Sequence, residues 1–246
     1  KPIINLLPLE EGERLSAILP VKGYDHAQYV FMTTANGTVK KVSLEQFSRP
    51  RTNGIIAVEL RASDYLVDVT LTDGQSDIML FSDAGKAVRF NEDQVRPTGR
   101  TATGVRGMKL KKNEKLISLI ALATNANAVQ NLAILTTTEN GNGKRTMVSE
   151  YSVINRGGQG VISIQVTERN GKAVGAIAVG SGEEIMLISD QGTLVRTRVD
   201  EISIVSRNTQ GVRLINVATS EKLIALARIA DVAVETAAVA TADATN

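Results

Sequence analysis

Two series of glycines run through this chain in step, and that repetition limits what it can fold into more than any other feature. Gly37, Gly85, Gly141 and Gly192 lie 48, 56 and 51 residues apart, and Gly54, Gly104, Gly160 and Gly211 lie 50, 56 and 51 apart. A period of that size marks one structural unit copied along the chain. The same residue classes recur around each glycine of the first series. Seven positions earlier stands Val30, Ile78, Ile134 or Ile185, and six earlier Phe31, Met79, Leu135 or Met186. Four positions later comes Lys41, Arg89, Arg145 or Arg196. Asp77 to Phe90 shows the unit in full: an apolar run, a two-residue turn signal at Ala84-Gly85, and a second run with a cation near its middle. That is the pattern of a β-hairpin.

Apolar side chains at successive positions before the turn predict a strand buried on both faces. A cation after the turn predicts a strand at an edge, with one face in water. The unit therefore reads as an inner strand followed by an outer one. Asn53-Gly54-Ile55, Thr103-Gly104-Val105, Gln159-Gly160-Val161 and Gln210-Gly211-Val212 carry the second glycine series. After each comes a strand such as Ile55 to Leu60 or Val161 to Val166, then a polar turn and a further strand of the type Leu116 to Ile120. Its counterparts are Leu15 to Leu19, Leu66 to Leu71, Ala173 to Val179 and Leu223 to Ala227; the opening Ile3 to Leu7 matches the strand after the second glycine. About four short strands per period is the size of one propeller-type blade. The fold class expected is all-β, with a partial blade over 1–47, repeats near 48–97, 98–153, 154–205 and 206–230, and a flexible tail over 231–246. Such an array begins in mid-repeat, so it stays open, closes imperfectly or borrows a strand.

The composition agrees. Apolar residues make up 43% of the chain, enough to fill a core, while aromatics are 3% and Trp is absent, so that core is aliphatic. The absence of Cys excludes a disulfide framework and thiol metal sites and fits a reducing compartment. No apolar run reaches the ~18 residues of a membrane-spanning helix. Lys1 follows neither an initiator Met nor a signal-peptide pattern and reads as the start of a cut fragment. The formal charge is +2; without the tail carboxylates Asp231, Glu235 and Asp243 the body carries +5.

No residue reads as catalytic. His26, the only histidine, sits in a polar loop without the partners of a zinc site or a catalytic triad. Asn140 to Thr146 resembles a phosphate loop, but Thr138 stands where its first glycine is required. Asp64, Asp68 and Asp73 lie beside turns, where Asp bonds the local backbone. The cations say more. Lys40, Lys86, Lys144 and Arg198 flank the series of Lys41, Arg89, Arg145 and Arg196, and Arg49, Arg51, Arg96, Arg100, Arg156 and Arg207 precede the second glycines. In a radial fold, equivalent positions line one rim, and cations there form a belt matched to a bent phosphate backbone. The alternative is that they are charges guarding edge strands, on a protein-interaction scaffold. Few aromatics argue against single-strand stacking, and no recognition helix offers sequence readout.

Val39-Lys40-Lys41, Asp77 to Phe90, Gly104 to Gly107, Gly143 to Thr146, Val166 to Gly171, Thr193 to Ile204 and Arg207 to Val212 closely resemble the C-terminal domain of the bacterial DNA gyrase A subunit. The likeness covers Lys1 to about Ile229; topoisomerase IV's related subunit is similar in pattern. The resemblance implies a β-pinwheel of about six blades, here without the first, that wraps double-stranded DNA around a basic rim and directs ATP-dependent negative supercoiling. It implies as partners the gyrase B subunit together with the rest of the A subunit, in an A2B2 holoenzyme. It also implies a cytoplasmic, nucleoid-associated location, and no membrane. No cofactor is expected in this domain, ATP and magnesium being bound elsewhere in the holoenzyme. Strand cleavage belongs to another domain, so Tyr24, Tyr29, Tyr65 and Tyr151 are not assigned to it. The family's Gln-Arg-Arg-Gly-Gly-Lys-Gly box is absent; Ile154 to Gly160 keeps Arg156, Gly157, Gly158 and Gly160 and reads as a degenerate copy at an inter-blade turn. Without the box the fragment is expected to bind DNA yet wrap it poorly.

Overall fold

The computed structural model describes residues 13, 15–24, 27–123, 129 and 131–229; the opening Ile3 to Leu7, His26 and the tail over 231–246 lie outside them. The first repeat gives β1 (Tyr29–Thr34), β2 (Thr38–Ser43) and β3 (Leu66–Thr72). The second gives β4 (Asp77–Ser82), β5 (Lys86–Asn91), β6 (Val105–Arg106) and β7 (Leu116–Leu122). The third gives β8 (Ala133–Thr138), β9 (Asn142–Met147), β10 (Val161–Ile162) and β11 (Ala173–Val179). The fourth gives β12 (Glu184–Ser189), β13 (Leu194–Arg198), β14 (Val212–Arg213) and β15 (Leu223–Ile229). A short 3-10 turn follows each hairpin.

Pairing cuts across the repeats. The strand orders are β3-β1-β2-β6, β10-β5-β4-β7 and β11-β8-β9-β14, with β13-β12-β15 making a three-stranded sheet among the described residues. Each complete blade therefore takes three strands from one repeat and its outermost strand from the next. The inner strands β3, β7, β11 and β15 lie successively against one another and line a central cavity of about 710 Å³. The architecture is an all-β, propeller-like pinwheel.

The hydrophobic core sits mainly between blades, with one further cluster, Val30, Met32, Val42 and Leu44, inside the first. Phe31 and Val39 of the first blade pack with Ile78, Leu80, Val88 and Phe90 of the second. Met79, Phe81 and Ala87 on the other face of the second blade meet Ile134, Val148 and Tyr151 of the third. All six residues of β4 are buried, as a run apolar on both faces requires. Each large side chain so buried contributes about 1.5–3 kcal/mol, so every blade depends on its neighbours for stability.

Several local expectations change, and among them neither Leu15 to Leu19 nor Ile55 to Leu60 forms a strand. The hairpin loop has three residues, not two: Gly85 has φ 73° and its N–H donates to Ser82 O at 3.0 Å. The loop is closed by a left-handed residue, a conformation glycine adopts without strain. The strand expected over Val161 to Val166 stops at Ile162. The N–H groups of Ser163 and Ile164 both turn to Gly85 O, at 2.8 and 3.1 Å, and pull the chain out of the ladder. Finally, the strand after the turn is not an edge with a wet face. In the three complete blades it lies between the pre-turn strand and a short strand from the next repeat, and the following blade covers its cation.

Candidate nucleic-acid interface

In the three complete blades the cation four residues after the turn glycine reaches into the next blade. Lys41 Nζ donates to Glu92 O at 2.9 Å and lies 3.4 Å from the buried Glu92 carboxylate. Arg89 donates from Nη1 to Val148 O and Tyr151 O at 3.2 and 3.1 Å and from Nε and Nη2 to Asp77 Oδ2 at 3.0 and 2.7 Å. Arg145 Nε donates to Ile202 O at 2.7 Å, with Asp200 Oδ1 3.3 Å from Nη1. Apart from Asp77, which lies in Arg89's own hairpin, these acceptors lie in the 3-10 turn of the following repeat or just beyond it. Arg196 occupies the same position in the last hairpin. With no further blade among the described residues, it pairs only with Glu184, and its side chain is 62% exposed.

Lys40 and Lys144, one residue earlier, are buried as well. Lys40 Nζ donates to Ala57 O at 2.9 Å and to Arg100 O; Lys144 Nζ donates to Ser206 O and Arg207 O. Burial away from water lowers both ammonium groups from 10.5 to about 8, with Arg100 and Arg207 respectively adding to the effect. The expectation that the turn cations face outward thus fails for Lys40, Lys41, Arg89, Lys144 and Arg145. Their donors are spent on protein carbonyls and carboxylates, and they act as staples between blades.

The loop arginines form a second, more open series. Arg100 Nη1 donates to Ile56 O at 2.8 Å, Arg156 Nη1 to Arg106 O at 3.0 Å, and Arg207 Nη1 to Ile162 O at 3.0 Å. Every acceptor lies two residues after a second-series glycine, in the previous repeat. These guanidiniums remain partly exposed, while Arg49, Arg51, Arg96 and Arg198 are exposed and Lys86 is half-buried. The segment resembling the family box lies against the first blade's outer strand: Gly157 N–H donates to Gly107 O at 2.5 Å, and Lys109 N–H to Gly158 O at 2.8 Å. Gly160, at φ 73°, passes so close to Ala87 O that a β-carbon would overlap it.

Asp64 and Asp73 bond the local turn backbone as expected, whereas Asp68 lies within β3 and lines the central cavity rather than flanking a turn. Asp64 accepts the N–H groups of Asn36 and Tyr65, and Asp73 accepts the Gln75 N–H and the Ser76 hydroxyl. Asp68 accepts the Val69 N–H, and burial raises its pKa. Sequence reasoning missed Arg61, Arg106, Lys109, Arg169 and Arg213, all exposed. None of their side chains forms an ion pair with a described residue. For Arg106 and Arg213 the missing signal was the strand pairing that places them; Arg61, Lys109 and Arg169 lie outside the named strands.

The arrangement matches known proteins along most of its length. The family described as the DNA gyrase C-terminal domain, beta-propeller, matches residues 28–73, 76–123, 133–179 and 183–230, one copy per hairpin repeat. The DNA gyrase A subunit of Salmonella typhimurium is 57% identical over 94% of this chain, which spans 26% of that relative. Its Pseudomonas aeruginosa counterpart is 45% identical over 93% of this chain and 29% of its own length. The chain thus covers about a quarter of the curated relatives it matches. Among solved structures, a DNA gyrase A C-terminal domain superposes with a TM-score of 0.82 at 26% identity, over 94% of this chain and 75% of that one. The C-terminal domain of a DNA topoisomerase IV gives 0.84 at 24% identity, over 92% and 69%, a likeness of fold. Four matched repeats and relatives more than half identical give one conclusion: this chain belongs to the DNA gyrase C-terminal domain family, the beta-propeller domain of the gyrase A protein.

Proposed function

We propose that this domain binds duplex DNA along the outer edges of its blades and bends it around the pinwheel. Within a holoenzyme that joins the B subunit to the rest of the A subunit, that bending directs ATP-dependent negative supercoiling. One observation carries the reading: the outer edges carry cations with no carboxylate partner among the described residues, repeated blade after blade. Arg49, Arg51, Lys86, Arg96, Arg100, Arg156 and Arg207 supply phosphate contacts, joined on the last hairpin by the exposed Arg196 and Arg198, which share the Glu184 carboxylate. Lys40, Lys41, Arg89, Lys144 and Arg145 instead fix the angle between blades. Bending a duplex by 40–90° costs on the order of 1–6 kcal/mol, so contacts spread along an arc suit the task better than one dense patch. Binding by this domain alone involves no strand cleavage.

The test is binding of a labelled linear duplex at 50 and 200 mM salt. Six or more phosphate contacts lower affinity by about 10³-fold or more between the two. Absent or salt-insensitive binding refutes the proposal and leaves the interaction scaffold.

A further inference from the structure

The three complete blades end in a two-residue strand donated by the following repeat, and that pairing creates a position that neither repeat series displays. The outer rungs are Thr38 opposite Arg106, Lys86 opposite Ile162 and Asn142 opposite Arg213. Each rung holds one cation and one uncharged residue, but the cation changes strands. It lies on the donated strand in the first and third blades and on the hairpin strand in the second. Counted from the turn glycine, the position reads Thr38, Lys86, Asn142; counted from the second glycine, it reads Arg106, Ile162, Arg213. Either list alone looks irregular.

Residues directly opposite in an antiparallel pair project to the same face, with β-carbons about 4.5–5.5 Å apart. A cation therefore leaves the blade at nearly the same point whichever strand carries it. Arg106 and Arg213 are exposed, Lys86 is half-buried, and none of the three forms an ion pair with a described residue. The contrast with the staples is direct: those cations are bonded inward, whereas this rung places one uncompensated charge per blade at the rim.

We infer that the outer rung is the repeating phosphate-contact point of this domain, occupied by Arg106, Lys86 and Arg213 in successive blades. What the fold requires is a charge on the rung, not on a particular strand. The inference rests on the duplex-binding function proposed above.

It is tested on the 246-residue chain by fluorescence anisotropy with a labelled linear duplex across a salt series. Lys86→Ala/Arg106→Ala/Arg213→Ala removes three contacts and lowers the magnitude of the log affinity against log salt slope by about 2.7. Lys86→Ile/Ile162→Lys moves the charge across its rung and keeps the wild-type slope, whereas Lys86→Ile alone loses about 0.9. Circular dichroism melts on the same samples confirm that the variants are folded. A triple variant with the wild-type slope overturns the inference. So does a transposed variant that falls as far as Lys86→Ile alone. If the wild type itself fails to bind, the proposed function falls; if it binds while the triple variant is unaffected, only the rung assignment does.

Discussion

Replacing Arg89 with Met separates a blade staple from a phosphate contact. Arg89 and Asp77 are nearly buried, with side chains 14% and 11% exposed and a 2.7 Å contact between them. Methionine keeps much of the volume but leaves the Asp77 carboxylate with Asn91 Nδ2, at 3.3 Å, as its remaining side-chain donor. Tyr151 O loses the Nη1 bond that tied it to the second blade, while Val148 O keeps the Tyr151 N–H at 3.0 Å. Breaking a buried pair by removing one partner costs about 3–5 kcal/mol. For a domain of this size that lowers Tm by roughly 6–20 °C. Arg196→Met is the internal control. It stands at the same repeat position, but the side chain is 62% exposed, and surface pairs contribute about 0–1 kcal/mol. Circular dichroism melts at matched pH and salt should show the large shift for Arg89→Met alone, with duplex affinity of the folded variant within about twofold of wild type. Equal shifts in the two variants would refute the staple argument. So would an Arg89→Met protein of normal Tm whose salt slope drops by about 0.9, the value of one phosphate contact.

Two further outcomes follow from the geometry. Lys40 and Lys144 hold protons less tightly when folded, at about 8, than at their ordinary 10.5. Between those values the unfolded chain binds more protons, so the unfolding free energy rises with pH across that window; denaturant midpoints at about pH 7.5 and 9.5 should show the rise, and Lys40→Met/Lys144→Met should flatten it. Gly160→Ala forces a side chain into left-handed backbone against Ala87 O, and should cost at least about 1–3 kcal/mol in chemical denaturation.

The hairpins, the turn glycines and the inner strands were legible because they are local. Two-faced apolar runs, a left-handed turn position and a rhythm of about 50 residues are written in adjacent residues. Ala173 to Val179 has the bounds its pattern predicts, and Leu66, Leu116 and Leu223 each begin an inner strand as read. What failed was the environment of the cations. A strand's alternation tells which side chains share a face, not what later docks on that face. Arg89 and Arg196 show the limit: they share a repeat position, yet one lies under the next blade and the other in water. The outer rung was illegible for the converse reason, since its residues come from separate repeats and only the pairing joins them.

The cations bonded to carbonyls, buried at Lys40 and Lys144 and partly exposed at Arg100, Arg156 and Arg207, also bear on how the domain meets a polyanion. Lys40, Lys144, Arg100, Arg156 and Arg207 bond to neutral carbonyls, and none forms an ion pair with a described carboxylate. A carbonyl satisfies a donor without cancelling its charge, so these groups add to the potential around the blades even where they touch no phosphate. Low-dielectric surroundings strengthen that contribution rather than screen it. Lys41, Arg89 and Arg145 contribute less, because Glu92, Asp77 and Asp200 offset them nearby. The basic belt read from the sequence therefore divides into buried cations that set blade geometry and rim cations that make contact, with Arg100, Arg156 and Arg207 tied to a carbonyl yet still open to a phosphate.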